Sequence, residues 1–228
     1  MLGEIEYTTL PALGVVGSDK AVVALCEQGS AEWFGLRGGN LTASNADLVV
    51  TSQGKAASGQ TRQTYINSLI AERLLHAVEM GHSNPAMERG TFLEPKARDW
   101  YAFVTGRDVK QVGFVYGNES RRYGCSPDGL CSDRLLEIKC PMHKTMIGDL
   151  LRGKVPTGYL AQINFQMWTC QVPLLDFVLF TPEPEIPSVI WTVEADPAMQ
   201  AAFAIHVPAF LNEVEEGYKA IMAMGDVE

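Results

Sequence analysis

No run of apolar residues in this 228-residue chain is long enough to cross a bilayer, and the N-terminus carries no basic-then-apolar leader pattern. A soluble, intracellular protein is therefore expected. Cysteine is sparse: Cys26, Cys125, Cys131, Cys140 and Cys170 are an odd number, and none are spaced C-x-x-C. That argues against a disulfide framework in so large a chain. Cys125, Cys131, Cys140 and His143 are spaced C-x5-C-x8-C-x2-H, which departs from the usual zinc knuckle. Small buried thiols are the expectation instead. Positive charge is also short, with 18 Lys and Arg against 27 Asp and Glu, a net charge of −9. That argues against a generally basic nucleic-acid binder. A nuclease is not excluded, because acid groups can hold cations and a local basic surface can still reach phosphates. Candidates for that surface are Arg37, Lys55, Arg62, Arg121, Arg122, Arg152 and Lys154. There is no internal repeat and no long low-complexity tract.

What is present is enough apolar material for a sizeable core, 46% of residues. Residues 1–228 are expected to form a single domain, with a helical N-terminal segment and a long C-terminal helix. Thr42 to Val50 reads as a short helix with Thr42 as its N-cap. Residues 51–61 are small and polar and read as a loop. Apolar residues from Arg62 to Met80 recur at helical spacing, and Gly81 closes that helix. Asn84-Pro85 caps another, which runs to Gly106. Glu94 sits in it beside the apolar stripe, placed to lean over a neighbouring sheet. Strands are expected at Gln111–Tyr116, Arg134–Cys140, Leu174–Thr181 and Ser188–Glu194. Tyr159–Gln171 reads as a helix with Gln162 and Gln166 on one face. Asp196-Pro197 opens the last helix, with a kink or break expected at Pro208. The order predicts an α/β or α+β fold, a mixed central β-sheet flanked by helices.

Two segments carry the chemistry, Ser126-Pro127-Asp128-Gly129 and Leu136-Glu137-Ile138-Lys139-Cys140-Pro141. The first offers a carboxylate in a turn. In the second, Glu137 and Lys139 share one strand face and Ile138 points into the core. Two carboxylates and a lysine converging on one point suit a divalent cation and a water to be activated. Asp-Gly is also a common turn, and Glu-x-Lys on an exposed strand is ordinarily a solvated pair. The apolar Leu135, Leu136 and Ile138 mark this strand as central, where charges need a reason. A second constellation is Arg37 with Ser44. Ser44 lies in a first helical turn that favours an anion, and Arg37 precedes it and could grip a phosphate. The ordinary alternative is a surface arginine and a capping serine.

Pro127-Asp128 with Glu137-Ile138-Lys139 matches the PD-(D/E)xK nuclease signature. The longer run from Cys125 to Asp133, followed by Glu137 to Pro141, resembles the lambda exonuclease family of phage recombination nucleases. Trp33…Leu36-Arg37…Thr42-Ala43-Ser44, Gly90…Glu94 and Tyr159-Leu160-Ala161-Gln162…Met167-Trp168 resemble further blocks of that family, in order. The resemblance implies a restriction-endonuclease-like core. It implies a metal-dependent exonuclease that digests one strand of duplex DNA from its 5′ end and leaves a 3′ overhang. A ring-shaped homotrimer around DNA, a single-strand annealing partner and a bacterial host cytoplasm are implied with it. The metal would be Mg²⁺ or Mn²⁺, two ions per site, on Asp128, Glu137, the Ile138 carbonyl and Glu94. Lys139 and Gln162 would complete the catalytic set. Arg37, Ser44 and Ser126 would hold the 5′-phosphate. Asn118 stands where the family's namesake carries an acidic residue. Alternatives are another nuclease of the signature, such as a restriction-type endonuclease, or a non-catalytic DNA-end-binding module. An iron–sulfur variant lacks support, since no cysteine follows Cys170.

Overall fold

The protein, as a computed structural model, is described over residues 5–78 and 84–225. Its strands form two mixed sheets. The first holds β1 (Glu6–Thr8), β2 (Val22–Leu25), β3 (Leu41–Thr42), β4 (Phe114–Tyr116) and β5 (Tyr123–Cys125), in the order β1-β2-β4-β5-β3. The second holds β6 (Gly129–Leu130), β7 (Leu135–Lys139), β8 (Leu174–Leu179) and β9 (Val189–Glu194), in that order. The mixed α+β class therefore holds, but the single central sheet is two. The chain passes from one to the other through Ser126-Pro127-Asp128, between β5 and β6.

β7 and β8 run parallel, so a crossover must join them. It is supplied by α4 (His143–Arg152), which the periodicity did not reveal, and α5 (Leu160–Cys170). α5 is buried almost all round, the mark of a helix inside a core rather than on a surface. It contacts β4 and β5 of one sheet and β7 and β8 of the other. The far face of the second sheet is covered by α3 (Pro85–Thr105). Period-two alternation divides β7 between these layers. Leu135 joins the main core with Phe165 and Phe177, while Leu136 and Ile138 join Leu93, Ala97 and Tyr101 of α3.

Local signals explain most element ends. Asn84 Oδ1 accepts from the N–H groups of Ala86 and Met87 at 3.0 Å, with Pro85 behind it, and Gly106 closes α3 in a left-handed turn. Four readings change. α2 spans Gln60–Leu75 and is closed by His76 at φ 49°, short of the expected end; Met80 and Gly81 lie outside the described residues. The Thr42–Val50 helix is a 3₁₀ segment, Ala43–Leu48, broken at Asn45. Thr42 does not cap it, because its hydroxyl faces the side chains of Ser44 and Asn45. The N-terminal segment contains β1, β2 and β3 as well as α1 (Ala31–Arg37). α6 (Pro197–Gly225) continues through Pro208. Pro208 and Ala204, whose carbonyl it leaves without an amide partner, are both exposed. Packing of Phe203, Val207, Phe210 and Val214 outweighs that loss.

One polar network is sealed inside the second sheet. Asp176, 2% exposed, accepts from Tyr101 Oη at 2.7 Å, Arg134 Nη1 at 3.0 Å and Thr192 Oγ1 at 2.6 Å. Removing the carboxylate strands three donors at once. Asp176→Ala is expected to cost roughly 3–5 kcal/mol of stability. Thr192→Val should cost only about 1 kcal/mol. Urea denaturation of the two variants checks the contrast.

Candidate active site

Glu137 lies on the central strand β7 with 2% of its surface exposed. A carboxylate there requires donors, and three reach it. Lys139 Nζ lies 2.5 Å from Oε1. Gln162 Nε2 donates to the same oxygen at 2.7 Å, and Gln166 Nε2 donates to Oε2 at 2.6 Å. The two glutamines are one helical turn apart on α5, so they present amides to a single carboxylate.

Asp128 is latched to the same strand. Its N–H donates to the Leu136 carbonyl at 3.0 Å, and its Oδ2 accepts from the Ile138 N–H at 2.6 Å. Burial raises its carboxyl well above the usual range, and the nearby Glu137 and Glu94 raise it further, against Lys139 and the Ile138 N–H. Burial alone would lower the Lys139 ammonium, but Glu137 and Asp128 outweigh it and the net shift is upward. Glu94 reaches this cluster from α3.

Arg98 is the residue that the sequence reading missed. It is 8% exposed. Its Nη2 holds Glu94 Oε1 at 2.5 Å and its Nε donates to the Asp128 carbonyl at 2.8 Å. It thereby ties α3 to the turn between the sheets. The E-x3-R spacing at helical pitch was the available signal. The target carbonyl, 30 residues away, was not foreseeable.

A second group gathers beside α1. Ser30 caps that helix by accepting from the Trp33 N–H at 3.2 Å. One turn on, the Arg37 guanidinium lies 4.3 Å from the Trp33 ring centroid and its Nη2 is 3.4 Å from Ser44 Oγ. Trp33 Nε1 donates to Ser126 Oγ at 2.8 Å. Arg37, Ser44 and Ser126 are thus brought together through Trp33. Ser126 and Asp128 share the turn between the sheets, so the two groups are neighbours.

The remaining candidates are placed otherwise. Arg62 pairs with Glu213, Arg122 with Glu215 and Arg152 with Asp149. Arg121 lies over the Tyr7 ring, and Lys55 and Lys154 are exposed. Asn118 Oδ1 accepts from the N–H and hydroxyl of Ser120, and its amide faces Tyr123 Oη. All five cysteines are free and four are buried. Burial, helped by Glu94 and Asp128, pushes the Cys140 thiol up to about 12. His143 faces Glu183 rather than any of the thiols named with it.

Among the described residues, no three His, Cys, Asp or Glu side chains are gathered as a ready metal cage. Asp128 is turned onto the Ile138 N–H and Glu94 onto Arg98. The chemistry of the donor set nevertheless fits a hard dication. It offers hard carboxylate oxygens, and a dication would favour the charged form of Asp128, which burial and then Glu137 and Glu94 disfavour.

Comparison with known proteins shows the family. The profile of the YqaJ-like viral recombinase domain matches residues 32–173, a span holding both groups. None of the curated proteins is significantly similar to the chain. Among solved structures, the alkaline exonuclease LHK-Exo of Laribacter hongkongensis is 34% identical, with a TM-score of 0.78 over 86% of this chain and 98% of that one. LHK-Exo in complex with dAMP is matched at 36% identity and a TM-score of 0.77, over 86% and 98% of the two chains. A phage-related exonuclease from Haemophilus somnus 129PT is matched at 12% identity and a TM-score of 0.56, over 82% and 96% of the chains, a likeness of fold alone.

Proposed function

Because the chain belongs to the YqaJ-like viral recombinase family and is a phage-type recombination exonuclease, we propose that it digests one strand of linear double-stranded DNA from the 5′ end. The reaction is a Mg²⁺-dependent hydrolysis that leaves a 3′ single strand for annealing. The observation that carries this reading is the convergence of Asp128, Glu137 and Lys139 at the junction of the two sheets, next to the Arg37 group.

Asp128, Glu137, Glu94 and the Ile138 carbonyl would hold Mg²⁺, or Mn²⁺ in its place, and the number of donors suits two ions. What a bound ion supplies is polarisation of the scissile phosphate and a more acidic water. Lys139, as an ammonium, orients the attacking water and offsets charge growing on the phosphate. Gln162 fixes Glu137 from above. Arg37, with Ser44 and Ser126, takes the terminal 5′-phosphate, which sets polarity. Among the described residues no helix is long and apolar enough to cross a membrane, in keeping with work in the host cytoplasm.

Linear duplex labelled at either end should be shortened from the 5′ end in Mg²⁺ and survive in EDTA. A closed circular duplex should survive in both; cutting of the circle would make this an endonuclease. Asp128→Ala, Glu137→Ala and Lys139→Ala should each lower turnover at least about a hundredfold. Near-normal digestion by Asp128→Ala removes the assignment.

The contact of Arg37 with a phosphate is worth roughly 1.5–3 kcal/mol, and about 1.4 kcal/mol is tenfold. Arg37→Ala should slow digestion of 5′-phosphorylated ends roughly ten- to a hundredfold and 5′-hydroxyl ends far less. Equal slowing of both would make Arg37 a general backbone contact.

Following the resemblance to the lambda exonuclease family, we propose a homotrimeric ring. Light scattering should give three times the 25.0 kDa of the chain. A monomer that digests long duplexes without dissociating rules the ring out. The 3′ strand left behind is what a single-strand annealing partner would coat, and that partner should be retained by the immobilised exonuclease when the two are mixed.

A further inference from the structure

The Glu137 carboxylate is unevenly occupied. Lys139 Nζ and Gln162 Nε2 both bond Oε1, while Gln166 Nε2 alone bonds Oε2. A carboxylate oxygen has two acceptor sites, so Oε1 is full and Oε2 has one site left. Gln166 is 1% exposed, and among the described residues its own Oε1 accepts no hydrogen bond. A buried amide with an orphaned carbonyl carries a desolvation cost that its one bond must offset. Its N–H bond to Glu137 is what the position retains.

We propose that Gln166 is a positioning residue for metal loading, holding Glu137 so that a single oxygen, Oε2, is offered to a cation. A one-oxygen ligand suits a small octahedral ion such as Mg²⁺ or Mn²⁺. Ca²⁺, with its six to eight oxygens, commonly takes a carboxylate through both. The inference rests on the metal-dependent reading above and assigns the choice of metal to α5.

The test is calorimetric titration of the full chain with MgCl₂ and with CaCl₂, beside thermal unfolding in EDTA. Gln166→Met keeps the volume and removes the donor; Gln166→Leu repeats the removal with another shape. Loss of an outer hydrogen bond to a metal ligand typically weakens binding by 10- to 100-fold. The expected result is Mg²⁺ affinity at least about tenfold lower and a Ca²⁺-to-Mg²⁺ affinity ratio shifted toward Ca²⁺. The midpoint of unfolding in EDTA should fall as well, since Glu137 Oε2 loses its donor, but a loss of stability alone would not change the ratio of the two metals. Unchanged Mg²⁺ affinity overturns the proposal, as does an equal fall for Mg²⁺ and Ca²⁺. If the parent protein itself binds neither Mg²⁺ nor Mn²⁺, the metal-dependent reading fails first.

Discussion

A carboxylate on the central strand of a sheet is the constraint from which the rest of this structure follows. Taking Glu137 out of water costs several kcal/mol, and the cost is offset only by donors with good geometry. Lys139 can help because strand alternation puts it on the same face. The other donors must come from an element lying across that face, and α5 is that element. Its turn-spaced glutamines fix both its rotation and its height over β7. Because α5 also contacts β4 and β5, the position of Glu137 is tied to the way the two sheets sit together.

The junction between the sheets answers to the same constraint. Asp128 follows β5 and precedes β6, and it is bonded to β7 through both its N–H and its carboxylate. Arg98 then clamps the Asp128 carbonyl and Glu94. Three acidic side chains from a turn, a strand and a helix are held near one another by partners of opposite character. Burial and, after it, Glu137 and Glu94 push the Asp128 carboxyl upward. Shifts of this kind cluster at functional sites.

How much of this could be read beforehand depended on whether the information was local. The faces of β7, the paired glutamines of α5 and the Asn84-Pro85 start of α3 follow from periodicity and capping, and they were legible. β1, β3 and β5 are two or three residues long, too short to show a period. α1 has seven residues and shows little beyond its Ser30 cap. Pro208 speaks for a break when only its own neighbours are weighed; the buried face of α6 decides otherwise. Glu137 and Lys139 could be paired from spacing alone, whereas the targets of Arg98 and Gln166 lie on other elements and needed the fold. The charged surface misled for a related reason. An arginine such as Arg62 counts as basic in a composition but is neutralised by Glu213 from a distant helix.

α5 has a consequence for how the molecule comes apart. Elements sealed on every side open only when the whole domain does, while peripheral ones open alone. The clamp on Glu137 belongs to the first kind. The 3₁₀ segment that carries Ser44 is tied to it, because that segment packs on α5 and buries Ala43 and Ala46. Local opening therefore cannot release that segment and leave the Glu137 clamp untouched. The two groups stand or fall as one unit.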